Sequence, residues 1–143
     1  MRPIQEGEVC AVIGGQVLTD DQFAHLAARR DRWSAAAIDE GLNLVQAEHD
    51  PFACGNHSCD PNLWMADATT VEARRRIETG QEATIDYALV TVDEGWSMDC
   101  RCGSPLCRRI VTGSDWQRRD LQQRYQDHFA PFINQRVRRG PAT

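Results

Sequence analysis

Three cysteines fall within one short run, Cys100-Arg101-Cys102-Gly103-Ser104-Pro105-Leu106-Cys107, and no other feature constrains this chain as strongly. Thiols this close in sequence do not easily pair as intramolecular disulfides. Gly103 and Pro105 allow the tight reversal that turns the sulfurs inward, so the spacing points to one tetrahedral zinc ion. The bland alternative is a set of buried or redox-active thiols. A structural zinc wants a fourth ligand, and on spacing alone Cys59, Cys54, Cys10 and His57 are all candidates. Cys10 lies in an apolar run and reads as a small core residue, and Cys54 reads as a loop thiol. Arg101, Arg108 and Arg109 border the run and are expected to offset part of a thiolate site's negative charge, against the alternative of plain surface charges.

The chain has 143 residues, enough for one compact domain. All 16 of its basic residues are arginine. The absence of lysine excludes Schiff-base chemistry, a lysine base and a P-loop lysine. Charge is unevenly spread. Residues 1–99 carry 7 Arg against 18 Asp and Glu, a net −11, and residues 100–143 carry 9 Arg against 3 Asp, a net +6. An acidic body argues against nucleic-acid binding and suits a basic peptide partner, against the plain alternative of a solvated surface. The N-terminus is polar and no apolar run nears the roughly 20 residues that cross a bilayer, so a cytoplasmic protein without membrane contact is expected.

The pattern predicts mainly β structure with one late helix. Glu8–Ile13 and Gln16–Leu18 read as strands around Gly14-Gly15, and Thr19-Asp20-Asp21 as the cap of a helix through Ala27. Ser34–Ile38 and Leu42–Gln46 flank Asp39-Glu40-Gly41 as a hairpin. Leu63–Met65, Thr69–Ala73 and Ala83–Tyr87 read as further strands. No regular element is expected over 100–113. Ser114-Asp115 reads as a helix start, with Leu121, Tyr125, His128 and Phe132 as its apolar stripe, Pro131 as a kink or restart, and a frayed end from Arg136. Trp33 and Trp64 read as core or cleft wall, and nothing gives His25, His49 or His128 a role.

One string is not generic. Gly55-Asn56-His57-Ser58-Cys59-Asp60-Pro61-Asn62 resembles the NHSCDPN motif of SET-domain protein-lysine methyltransferases. Thr79-Gly80-Gln81-Glu82-Ala83-Thr84-Ile85-Asp86-Tyr87 resembles that family's G-E-E-(L)-T-(I/F)-D-Y segment. The cysteine run resembles its post-SET zinc motif, and Ile4–Val9 resembles the strand after its first glycine motif. The motifs stand in the family's order and cover most of residues 3–113.

The resemblance implies a SET fold: a β-clip of short, pseudoknotted sheets over 1–99, a zinc-binding post-SET segment over 100–113, and a C-terminal α-helix and tail over 114–143. Carried over residue by residue, Asn56 and His57 would contact S-adenosylmethionine, and Tyr87 would be the active-site tyrosine. Cys59 would join Cys100, Cys102 and Cys107 around zinc. Ile110 or Trp116 would cover the adenine. The implied function is methyl transfer to lysine of a protein substrate. The alternative is a catalytically weak, zinc-stabilised binding module for basic peptides. The donor is a sulfonium and the acceptor a neutral amine, so the site needs alignment in a dry channel more than a dedicated base. Asp60 and Asp86 read as structural hydrogen-bonding residues.

Three positions depart from the pattern. Met1–Ile4 begins just after the place of the family's Gly-x-Gly strand. Ala53-Cys54-Gly55 stands where the family has Arg-Phe-(Ile/Met). Arg109 stands where glycine often follows Cys-Arg.

Overall fold

A computed structural model describes residues 1–47, 50 and 55–141. Cys54 and His49, and the Ala53-Cys54 part of the departure noted above, lie outside the described residues.

Among the described residues, short strands form four small sheets. β1 (Val9–Val12), β6 (Leu63–Met65) and β7 (Thr70–Ala73) make an antiparallel sheet in the order β1-β7-β6. Burial alternates along β6 and β7, as expected for strands with one face on a core. The Asp67 carboxylate turns the chain between them by accepting the N–H groups of Thr69 and Thr70 at 2.9 and 2.7 Å.

β2 (Gln16–Thr19), β3 (Ala35–Asp39) and β4 (Leu42–Val45) form the second sheet, ordered β2-β4-β3. The predicted hairpin joins β3 to β4, and Gly41 supplies the positive φ of +67° that its turn requires. The predicted helix is α1 (Asp20–Ala27). Thr19 Oγ1 accepts the Gln22 N–H at 3.2 Å, and the Gln22 side chain accepts the Thr19 N–H at 3.0 Å, a reciprocal capping box.

The other two sheets frame the functional region. β5 (Asn56–His57) runs parallel to β8 (Thr84–Ile85), and β9 (Ser97–Asp99) pairs antiparallel with β10 (Ile110–Thr112). Two sequence expectations change here. The strand predicted through Tyr87 stops at Ile85, because Asp86 accepts the Ala88 N–H at 3.0 Å and caps a 3-10 turn over Tyr87–Leu89. The 100–113 segment is not wholly irregular, since its last residues pair as β10. Gly113 follows, where a Cβ would lie 1.7 Å from the Asp93 carbonyl oxygen, so only glycine admits that loop.

Ser114 does not start the long helix. It opens a 3-10 turn over Asp115–Gln117, because the Asp115 side chain turns inward to Arg108 and Thr112 instead of capping. α2 begins at Arg119 (Arg119–Tyr125), and Pro131 restarts the chain as α3 (Pro131–Arg139). The end is ordered further than predicted. Arg136 Nε bonds Glu40 at 2.8 Å, and Arg138 bonds Asp127 at 2.8 Å.

The main core joins both large sheets to α2 and α3. Met65, Val71, Leu89, Leu121, Tyr125, Phe129 and Ile133 are almost wholly buried. Each such side chain contributes about 1.5–3 kcal/mol of transfer free energy, so the C-terminal helices are integral to the fold. A second cluster gathers Cys59, Cys100 and Val111 beneath Trp96 and Met98. Cys10 packs half-buried against the main core, as read from its apolar run. Among the described residues, no helix is long and apolar enough to cross a membrane.

Candidate functional site

The site is built where β5 and β8 run side by side. Asn62 locks this pair. Its Oδ1 accepts the Thr84 N–H at 2.8 Å and its Nδ2 donates to the Glu82 carbonyl at 2.8 Å. Just behind it, Asp60 receives Arg74 at 3.2 Å and Arg75 at 3.1 Å, the structural role expected of it. Asn56 is exposed at the open end of β5 and donates to Glu82 Oε1 at 2.6 Å.

His57 turns inward, with 3% of its side chain exposed. Its Nδ1 accepts the Tyr87 N–H at 3.1 Å, and its Nε2 lies 3.3 Å from the Cys59 sulfur. Both ring nitrogens are therefore committed. Desolvation holds the imidazole below its ordinary pKa, so the ring is neutral at pH 7, with its proton on Nε2 toward sulfur. Tyr87 is half-buried, and its hydroxyl donates to the Gly55 carbonyl at 2.8 Å. Burial raises its pKa, which keeps the proton on that bond and leaves the oxygen lone pairs free to accept. Trp96 flanks it at 6.1 Å between ring centroids.

The sequence-predicted cysteines converge. The sulfurs of Cys59, Cys100, Cys102 and Cys107 all lie within 4.8 Å of one another, and Cys59 and Cys100 are 3.8 Å apart. A tetrahedral ion with sulfur bonds of about 2.3 Å would space its ligands about 3.8 Å apart, so this donor set could hold a metal ion. The thiols are polarised unequally. Burial pushes Cys59 up to about 12. Burial also opposes ionisation of Cys102, but hydrogen bonds from the Cys59 and Ser104 backbones and from the neighbouring thiols bring it down to about 6. Of the open candidates for a fourth ligand, Cys59 is in the group and Cys10 is not.

Sequence reasoning treated Arg108 as charge balance for the thiols. Its charge does favour the Cys59 thiolate, and the structure adds a second place for it. Its guanidinium is 4% exposed and makes a bidentate pair with Asp86 at 2.7 and 2.8 Å, while its Nε bonds Asp115 at 2.8 Å. Its backbone N–H also lies 3.3 Å from Cys59 Sγ. Asp86 also accepts the Tyr125 hydroxyl at 2.7 Å. Burial opposes the Asp86 charge, but the Arg108 hydrogen bonds and the Arg108 charge outweigh it and hold the carboxyl below the ordinary range. Gly55, Glu82 and Arg108 are site residues that pattern reading missed. Gly55 and Glu82 lie inside the two quoted motifs and Arg108 directly follows Cys107, but the pattern gives none of them this role. Of the two residues expected over the adenine, Ile110 is exposed on β10, and Trp116 packs against the main core beneath Arg136.

This arrangement of short sheets, with a parallel β5–β8 pair backed by four cysteines, defines a class. The SET domain family model matches residues 1–88, and the chain belongs to that family. It is 28% identical to histone-lysine N-methyltransferase ash1 of Drosophila melanogaster over 124 residues, which are 78% of this chain and 6% of that protein. It is 30% identical to methyltransferase flvH of Aspergillus flavus over 104 residues, which are 70% of this chain and 57% of that protein. In fold it resembles the methyltransferase domain of human histone-lysine N-methyltransferase SETMAR, with a TM-score of 0.57, 19% identity, and coverage of 77% of this chain and 51% of that one. The chain thus spans a small part of ash1 and just over half of flvH.

Proposed function

We propose that this chain transfers methyl groups from S-adenosylmethionine to lysine of a protein substrate. One observation carries the reading. The Tyr87 hydroxyl donates a hydrogen bond to the Gly55 carbonyl, leaving an acceptor oxygen at the junction of the two motifs that carry the family's chemistry. S-adenosylmethionine, when bound, supplies an electrophilic methyl group on a sulfonium.

This chain's own residues do the rest. The Tyr87 oxygen offers lone pairs to an incoming amine and to a polarised methyl C–H. His57 holds the Tyr87 backbone from Nδ1, so its part toward the cofactor falls to its main chain and ring face. Asn56, anchored by Glu82, presents an exposed polar edge beside it. The four-cysteine group is the place for a structural zinc, with Cys59, Cys100, Cys102 and Cys107 as ligands. A reducing, cytoplasmic setting suits it, since oxidised thiols bind no metal. The net −11 of residues 1–99 suits a basic peptide as substrate.

Calorimetry with millimolar S-adenosylmethionine, beside a zinc assay and mass spectrometry of a basic lysine-bearing peptide, tests this. Heat of binding, one zinc per chain and a gain of methyl mass on the peptide are expected. The chain has no lysine, so methyl-lysine signal comes only from the peptide. Zinc without cofactor heat leaves the binding-module alternative in its place.

A further inference from the structure

The cysteine group and Tyr87 are joined by a closed ring of contacts, and Arg108 is its pivot. Cys59 Sγ is approached by the Arg108 backbone N–H at 3.3 Å. The Arg108 guanidinium grips Asp86 at 2.7 and 2.8 Å. Asp86 caps the 3-10 turn that starts at Tyr87, accepting the Ala88 N–H at 3.0 Å. The Tyr87 N–H bonds His57 Nδ1 at 3.1 Å, and His57 Nε2 returns to Cys59 Sγ at 3.3 Å. Every side chain that closes the ring, other than Tyr87, is almost fully buried.

We propose that Arg108 is a positioning residue, which makes the placement of Tyr87 depend on the four-cysteine group. The inference rests on reading Tyr87 as the active-site tyrosine. Its physical ground is that Arg108 is held at both ends. Its main chain is fixed by the loop that brings Cys100, Cys102 and Cys107 to Cys59. Its side chain is fixed by two carboxylates in a water-excluded interior, where a guanidinium fork has one good geometry. A shift of the cysteine loop must therefore move Arg108, and with it Asp86 and the turn that carries Tyr87. Lysine cannot reproduce the fork, although it keeps the charge. Asp115, bonded to Nε and to Thr112 at 2.9 Å, steadies the guanidinium from the other side.

The chain has two tyrosines, Tyr87 and Tyr125, and the ring system touches both. Tyrosine labelled with carbon-13 at the ring therefore gives two signals, assigned with Tyr87→Phe. In the zinc-loaded full chain, Arg108→Lys is expected to keep its zinc and to move the Tyr87 signal. Chelation of the wild-type chain should move that signal in the same direction. Asp115→Asn, which leaves the Asp86 pair intact, should move it less. In methyl transfer, Arg108→Lys should lower kcat about 10-fold to 100-fold with KM for the cofactor little changed, as a small misplacement of an aligned group does. Added to Tyr87→Phe, it should cost little more, since the two act as one unit. A folded, zinc-loaded Arg108→Lys whose Tyr87 signal stays at the wild-type position overturns the proposal. A signal that moves in a chain that transfers no methyl keeps the coupling and overturns only the enzymatic reading.

Discussion

Tyr125 donates its hydroxyl to Oδ2 of Asp86 at 2.7 Å, from a helix beyond the span matched by the family model. The C-terminal part of the chain thus supplies a wall and a hydrogen bond to the residue that precedes Tyr87. A neutral donor to a buried carboxylate contributes about 1.5–3 kcal/mol. Tyr125→Phe keeps the ring and loses that bond. It is expected to lower unfolding stability by about that amount in urea, with zinc content unchanged. A loss below the error of the titration would mean that Arg108 and the Ala88 N–H already satisfy Asp86.

Asp86 gives the protein an acid limit. Its native pKa lies below the ordinary carboxylate value of 3.8, held there by Arg108 against the opposing effect of burial. A depressed carboxylate stabilises the fold above its unfolded value, and that stabilisation is lost as pH falls through the native one. Asp86→Asn should cost about 3–5 kcal/mol at neutral pH, because Arg108 then keeps only Asp115 as an ionic partner. The urea midpoints of the two chains should converge below the native pKa. A gap that stays constant from neutral to acid pH would assign the loss to packing.

Tyr87→Phe removes one hydroxyl whose partner is the Gly55 carbonyl. Stability should fall by about 0.5–1.5 kcal/mol, the usual net worth of a hydrogen bond between neutral groups. The chain should still fold and bind zinc, while methyl transfer changes in rate or in the number of methyls added. Unchanged kinetics by mass spectrometry would remove Tyr87 from the site.

Arg109 sits at φ +68°, and the Ile110 N–H bonds the Arg108 carbonyl at 2.8 Å across it, closing a γ-turn. Left-handed backbone costs a non-glycine residue about 1–2 kcal/mol, of which glycine's freer unfolded chain returns about half. Arg109→Gly should therefore raise the thermal midpoint slightly, with a gain of about 0.5–1 kcal/mol. A decrease would show that the Arg109 charge serves the cysteine group after all.

What the sequence made legible was local. Thr19 with Gln22 is a cap readable from four residues, and Gly41 between two apolar runs is a hairpin readable from a dozen. The convergence of Cys59 on the distant cysteine run was legible only through family resemblance, because spacing left four candidates open. Two of the misread elements share one cause. Ala83–Tyr87 looks like a strand, but Asp86 is drawn from strand geometry by Arg108, which is 22 residues away. Ser114-Asp115 looks like a helix start, but Arg108 draws Asp115 inward as well. One buried guanidinium overrode two local patterns, and its place beside Cys107 pointed to the thiols and not to the two carboxylates.

The pairing of Cys59 with Cys100 spans 41 residues. An ion held between them would bind the folded chain and not the unfolded one, because the four sulfurs meet only after folding. Its binding free energy would then add to that of folding, and the thermal midpoint would rise with metal concentration. Scarcity of metal would thin the folded population as well as loosen the site within it.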